Sequence, residues 1–301
     1  MKKIGLPLGV LALSTLCSLG QVTVEVQLEQ EQFLPGESLP VAVRITNRSG
    51  QVLKLGAEDW LRFSIEDASG LVLPQIAEVP VAGEFELETS KRATKHVDLS
   101  PCYALSRQGR YTIIATVKIK QWDQQVVSVP KKFNLIEGSK MWEQEFGLPQ
   151  PADATNAVPE FRKYILQQAN YVSQLRLYLR ITDLEGNKVF RTVPIGIMLS
   201  FSRPEMQLDK RSNLHLLYQN WAHSFAYAVF NPNGELLERE TYDFLDARPR
   251  LQSDTGNISV AGGSKRVTAN TSSNSGSAGV PADELLKSSS TSPDNAQPPK
   301  P

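Results

Sequence analysis

The sequence predicts an all-β protein in two modules, and three observations predict it. Apolar residues alternate with polar ones at period 2 over much of residues 21–135. Turns rich in Asn, Asp and Gly separate the alternating stretches. Beyond residue 160, several short segments recur at spacings of about 45 to 50 residues.

The elements follow in chain order. Lys2 and Lys3 precede an uncharged stretch, Ile4 to Gly20, that Gly5, Pro7 and Gly9 interrupt. It is short for a membrane span. Ser18 and Gly20 are the small residues a signal peptidase reads, so residues 1–20 are expected to be a secretory signal and Gln21 the mature N-terminus. A lipidated Cys17 is the alternative; Leu16, just before it, fits a lipobox poorly. Without Cys17 the mature chain keeps one cysteine, Cys102, expected as a small buried hydrophobe.

Residues 21–136 read as half-buried strands. Val22, Val24, Val26 and Leu28 alternate with polar residues, as do Val41, Val43 and Ile45. Leu61, Phe63 and Ile65 do the same, and so do Ile113, Ala115, Val117 and Ile119. Pro35-Gly36-Glu37, Asn47 to Gly50, Asp67 to Gly70 and Gln108-Gly109-Arg110 supply the turns. About seven short strands at this spacing suggest a β-sandwich. Leu34-Pro35-Gly36-Glu37 before a strand, Ile45 to Gly50 after it, and Gly109-Arg110-Tyr111 opening the next carry a resemblance. The segment resembles the immunoglobulin-like domains of secreted bacterial proteins. That resemblance covers about a third of the chain and implies a tyrosine corner at Tyr111. It implies no particular role, because such sandwiches host many.

Residues 137–159 hold Pro149, Pro151 and Pro159 around a polar run and read as a linker. Met141, Trp142 and Phe146 are expected to plug a groove between the domains. Residues 160–267 contain the repeat. Arg203-Pro204-Glu205-Met206-Gln207 recurs as Arg248-Pro249-Arg250-Leu251-Gln252, and the turn Asp209 to Asn213 recurs as Asp254 to Asn257. Asp183 to Gly186 recurs as Asn231 to Gly234, and Gln168 to Tyr171 echoes Gln219 to Trp221. The spacing resembles that of four-stranded propeller blades. Two copies leave a propeller open, so two blade-like antiparallel sheets are expected, packed face to face or covered by the first domain or another subunit. A helix from Pro159, with Phe161, Ile165, Gln168 and Val172 near helical spacing, is the rival for 160–172. The echo with Gln219 to Trp221 favours a strand. Residues 268–301 are rich in Ser, Thr and Pro with few large apolar side chains, and a disordered tail is expected.

The chemistry is bounded by exclusion. In 301 residues, 32 Lys and Arg balance 32 Asp and Glu, which argues against nucleic acid or an anionic membrane face as partner. No P-loop, dinucleotide fingerprint, G-x-S-x-G or H-E-x-x-H is present. No catalytic set, cofactor or metal site is assigned. His215 and His223 are placed on adjacent strands of one hairpin, where they could approach each other, but a third metal ligand is missing. Glu235, Glu238, Glu240, Asp243 and Asp246 read as a solvated strand face. Arg203, His215, Trp221, His223 and Arg248 are the candidate ligand-binding residues. The expected function is a non-catalytic protein of the periplasm, cell envelope or extracellular space that binds a protein or glycan. A secreted hydrolase using Glu205, Asp209, His215 and Asp254, and a chaperone- or inhibitor-like sandwich, are the alternatives. No transmembrane segment is expected in the mature chain.

Overall fold

The computed structural model describes residues 21–149 and 160–266. The expected signal, Cys17, the polar run 152–157 and the expected tail lie outside them. The protein is nearly all β; a single 3-10 turn, Lys120–Trp122, is the one helical element among the described residues. Among the described residues, no helix is long and apolar enough to cross a membrane.

The first module carries β1 (Val22–Leu28), β2 (Gln32–Phe33), β3 (Pro40–Asn47), β4 (Leu53–Leu55) and β5 (Leu61–Asp67). It continues with β6 (Phe85–Leu87), β7 (Arg92–Asp98), β8 (Gly109–Ile119), β9 (Gln124–Val127) and β10 (Lys131–Leu135). One sheet runs β1-β3-β7 and the other β2-β10-β8-β5, with β9 also on β8. Period 2 decides which side chains the sheets enclose. Val22, Val24 and Val26 are buried while Thr23 and Glu25 are exposed, and Val41, Val43 and Ile45 join the same core. The opposite sheet contributes Tyr111, Ile113, Ala115, Val117 and Ile119. Each such Val or Ile contributes about 1.5–3 kcal/mol by leaving water.

The expected turns close the strands. Buried Asn47 donates through Nδ2 to the carbonyls of Gln51 (2.7 Å) and Leu87 (2.9 Å), and its Oδ1 accepts from the Ser49 amide. A polar side chain inside the core is thereby fully paired. The Tyr111 hydroxyl donates to the Arg107 carbonyl four residues upstream at 2.8 Å, the geometry of a tyrosine corner.

The second module begins earlier than the sequence suggests. β11 (Ser139–Gly147) lies inside the expected linker and pairs with β12 (Phe161–Tyr171), which pairs with β13 (Gln174–Thr182) and then β14 (Val189–Ile197). Met141 and Trp142 pack on this module's own core, and Phe146 is buried there against Tyr164 with ring centroids 4.0 Å apart. These residues are strand residues, not a plug between domains. A register shift between Lys140 and Trp142 breaks the alternation, so period 2 is hidden just where the strand starts. Residues 161–171 are strand, and the helical rival is overturned.

A second meander follows: β15 (Glu205–Leu208), β16 (Leu214–Trp221), β17 (Ser224–Phe230) and β18 (Leu236–Asp243). Next comes the hairpin of β19 (Arg250–Asp254) and β20 (Asn257–Ala261), and then β21 (Ser264–Lys265) against the end of β18. The repeated segments fall on equivalent places. Tyr171 and Trp221 end the second strand of each meander, and Asp183 to Gly186 and Asn231 to Gly234 join the third strand to the fourth. Arg203-Pro204 opens the second meander, and Arg248-Pro249 opens the hairpin, which corresponds to the first two strands of a third, incomplete unit.

The sheets stack. Leu177, Leu179 and Ile181 of β13 meet Leu214, Leu216 and Tyr218 of β16 in one core. Leu217 of β16 with Phe225, Tyr227 and Val229 of β17 faces the other way and meets Leu251, Ile258 and Val260 of the hairpin. β17 is buried on both faces, which explains its unbroken apolar run. The far face of the first meander meets the first module through Leu34, Ile136, Ala169 and Tyr178.

Val172, in the two-residue turn between β12 and β13, has φ +55° and is 79% exposed. A β-branched residue is strained there. Val172→Asn is expected to raise stability by about 1 kcal/mol, read as a higher urea midpoint at unchanged m-value.

Candidate functional site

Strand direction gathers four connections at one end of the stack. The β12–β13 turn, the 198–204 loop, the β16–β17 turn and the 244–249 loop all lie there, because successive strands of each meander run antiparallel. The Leu199 amide donates to Gln219 and the Phe244 amide donates to His223, tying both loops to the Trp221–Ser224 turn. Four large apolar side chains stay in water at this end: Val172, Phe201 (78% exposed), Trp221 (65%) and Leu245 (71%).

Of the five residues put forward from sequence, four share this end. Trp221 and His223 occupy the β16–β17 turn, Arg203 precedes β15, and Arg248 precedes β19 with its guanidinium 5.2 Å from the Phe225 ring centroid. The His223 ring lies 6.4 Å from that of Phe244. Arg203 and Arg248 are exposed, and neither forms an ion pair among the described residues.

His215 does not belong with them. It sits near the opposite end of β16, roughly 20 Å from Trp221 by strand rise. It is buried, with Nδ1 2.7 Å from the Tyr227 hydroxyl and Nε2 3.4 Å from Asp209 Oδ2. The expected approach of His215 to His223 is overturned: His215 pairs across to Val229, and His223 lies in the turn. No group of three or more His, Cys, Asp or Glu able to hold a metal exists among the described residues.

The hydrolase candidates are also dispersed. The Glu205 carboxylate accepts from the Leu251 amide at 2.9 Å, and Asp209 accepts from the Arg211 and Asn213 amides within its own turn. Asp254 closes the β19–β20 hairpin beside Thr255 and Gly256, both at positive φ. These are fold-holding roles. Cys102 is buried and free, and burial pushes its thiol pKa up, opposite to what a nucleophile needs.

A second polar constellation lies where the two modules meet. The 35–37 turn docks on β14: the Thr192 amide donates to the Gly36 carbonyl at 3.1 Å, and its hydroxyl donates to Pro35 at 3.0 Å. Glu37 is buried beneath this contact. One carboxylate oxygen accepts from Gln30 Nε2 and the other from the Leu34 amide, both at 2.8 Å. Burial nevertheless dominates and pushes its pKa up to about 7, against those two bonds and the charge of Arg176. Arg176 donates to Gln30 Oε1 at 2.9 Å and lies 4.0 Å above the Tyr171 ring. Arg180, two turns of the pleat further along the same face of β13, has no such partners. Its Nε is sealed from solvent without a hydrogen bond, and desolvation lowers its pKa.

Beside Arg180 and Glu37 opens a cleft of about 290 Å³ between the modules. Sequence reading missed Glu37, Arg176, Arg180, Phe201 and Leu245 as site residues. Arg176 and Arg180 alternate with apolar residues along β13, and period 2 alone assigns such positions to water. Only the docking of a second module turns that face inward.

No protein-family model matches the chain, and no curated protein is similar in sequence. Among solved structures, the crystal structure of Spo0M, a sporulation control protein from Bacillus subtilis, aligns at a TM-score of 0.30 with 10% identity. The alignment covers 59% of this chain and 91% of that one. A likeness this low carries neither fold nor function across.

Proposed function

We propose that the chain is an exported, non-catalytic binding protein: an immunoglobulin-like sandwich carrying a stack of blade-like sheets, whose loop-bearing end docks a partner protein. The observation that carries this reading is that four exposed apolar side chains, Val172, Phe201, Trp221 and Leu245, fall at one end of the stack, the end that also holds exposed Arg203 and Arg248. Trp and Arg are the side chains most enriched at the energetic centres of protein interfaces. Val172 adds a backbone argument, since an exposed β-branched residue held at φ +55° serves the fold poorly. The signal-like residues 1–20 support export.

The test compares the wild-type chain with a Phe201→Ser/Trp221→Ala/Leu245→Ser variant, and with a control altered at exposed Leu71 and Ile76 of the first module. Each is immobilised against the envelope and secreted proteins of its source. Proteins held by the wild type and the control should be lost from the triple variant, with affinity reduced at least about 30-fold once a partner is purified. Equal retention by all three sinks the reading. Saturable binding to a glycan array, removed by Trp221→Ala alone, would move the function to carbohydrate recognition.

A further inference from the structure

The cleft between the modules is separate from the loop-bearing end, and its chemistry points to a small ligand. Phe33, Leu39 and Leu135 of the first module and Val189 of the second give it apolar lining. Arg180 and Asn187 of the second module and Glu37, Ser100 and Ser106 of the first give polar lining. Arg180 is the feature that the fold leaves unexplained. It is half-buried, its Nε has no partner, and it takes part in no ion pair among the described residues. A guanidinium half out of water, with one nitrogen sealed and no counter-charge, is costly, and folds usually compensate one. The nearby acid does not supply it: Glu37 forms no ion pair with Arg180 among the described residues, and its oxygens accept from Gln30 and the Leu34 amide instead.

We propose that this cleft binds a short-chain carboxylate, its carboxyl group paired with the Arg180 guanidinium and its hydrocarbon body against Phe33, Leu39, Leu135 and Val189. A planar guanidinium presents a fork that a carboxylate matches with two parallel hydrogen bonds. A single such cation suits a monoanion. Inorganic phosphate lacks the hydrocarbon body, and as a dianion it would call for a second cation, which the cleft lining does not supply. The volume of about 290 Å³ lies at the small end of ligand clefts, which limits the ligand to a short chain.

The test titrates the full chain with hexanoate by calorimetry at pH 6, with hexanamide and inorganic phosphate as comparisons. Hexanoate should bind saturably with a Kd on the order of 1 mM or tighter, and hexanamide and phosphate at least about tenfold more weakly. Amide chemical-shift changes on the ¹⁵N-labelled wild type should centre on Asn187, Val189 and Ser106. Arg180→Gln should weaken hexanoate at least about tenfold, and Arg180→Lys, which keeps the charge but loses the fork, by several-fold. No saturation of the wild type by about 20 mM hexanoate overturns the proposal. So do shift changes centred elsewhere, phosphate binding as tight as hexanoate, or an unchanged affinity in a folded Arg180→Gln chain. The wild-type titration and shift map decide the matter even if that variant fails to fold.

Discussion

Gly36→Ala is expected to cost roughly 3 kcal/mol of stability, a large share of the about 5–15 kcal/mol that holds a typical domain together. Two separate penalties combine. Gly36 sits at φ +80°, where an L side chain loses about 1–2 kcal/mol. A Cβ there would also lie 2.8 Å from Val189 Cγ1 and 3.0 Å from Thr192 Oγ1 on β14. Relief requires the turn to lift off the strand, which strains the Thr192–Gly36 hydrogen bond, and overpacking of this kind typically costs about 1–3 kcal/mol. Gly50 separates the two penalties. It has nearly the same backbone, φ +79°, and a Cβ at that position would meet nothing within 4 Å. Gly50→Ala should therefore lose only the conformational part. Urea unfolding of both variants measures the difference, and equal losses would mean that the module junction is not tightly packed at Gly36.

The strands of the first module were legible because each sheet has one wet and one dry side. Val22 to Leu28 and Tyr111 to Ile119 alternate without interruption, so periodicity and burial coincide. In the second module the repeat carried information that periodicity did not. β17 is apolar on both faces, yet its turns mark its ends, and the echo of Gln168 to Tyr171 with Gln219 to Trp221 identified β12 as a strand. The first strand of the repeat escaped because its register shift and the prolines after it imitate a linker. Recurrence also directed attention to the turns, and so to Trp221, Arg203 and Arg248, which share one end of the stack; His223, reached through its spacing from His215, lies there too. It was blind to the module junction. Glu37 looks like an ordinary turn residue, and Arg176 and Arg180 like ordinary solvent-facing ones, until three-dimensional docking buries Glu37 and half-buries the two arginines.

Glu37 should make the protein more stable in mild acid than at neutral pH. An ordinary glutamate titrates near 4.5, and burial raises this one to about 7. Between those values the folded protein holds a proton that the unfolded chain has released. The Glu37 contribution is therefore full below about pH 4.5 and is lost as pH rises to about 7, by roughly 3 kcal/mol in all. The groups facing Glu37 do not titrate in this window. Arg176 and Arg180 on β13 remain cationic, and burial pushes Tyr178 on the same strand up to about 12. Asp98, which accepts from Ser38 and the Leu39 amide one strand away, is shifted below its ordinary value, so its contribution is lost only at lower pH. Glu37→Gln removes the ionisation while its amide oxygen still accepts from Leu34. The new amide hydrogens compete with Arg176 for Gln30 Oε1, which costs about 1 kcal/mol at every pH. The decisive quantity is accordingly the slope: urea midpoints between pH 5 and pH 7.5 should decline in the wild type and stay level in the variant. A parallel decline in Glu37→Gln would assign the titrating proton to another group, and a level wild type would mean that water reaches the junction and solvates the carboxylate.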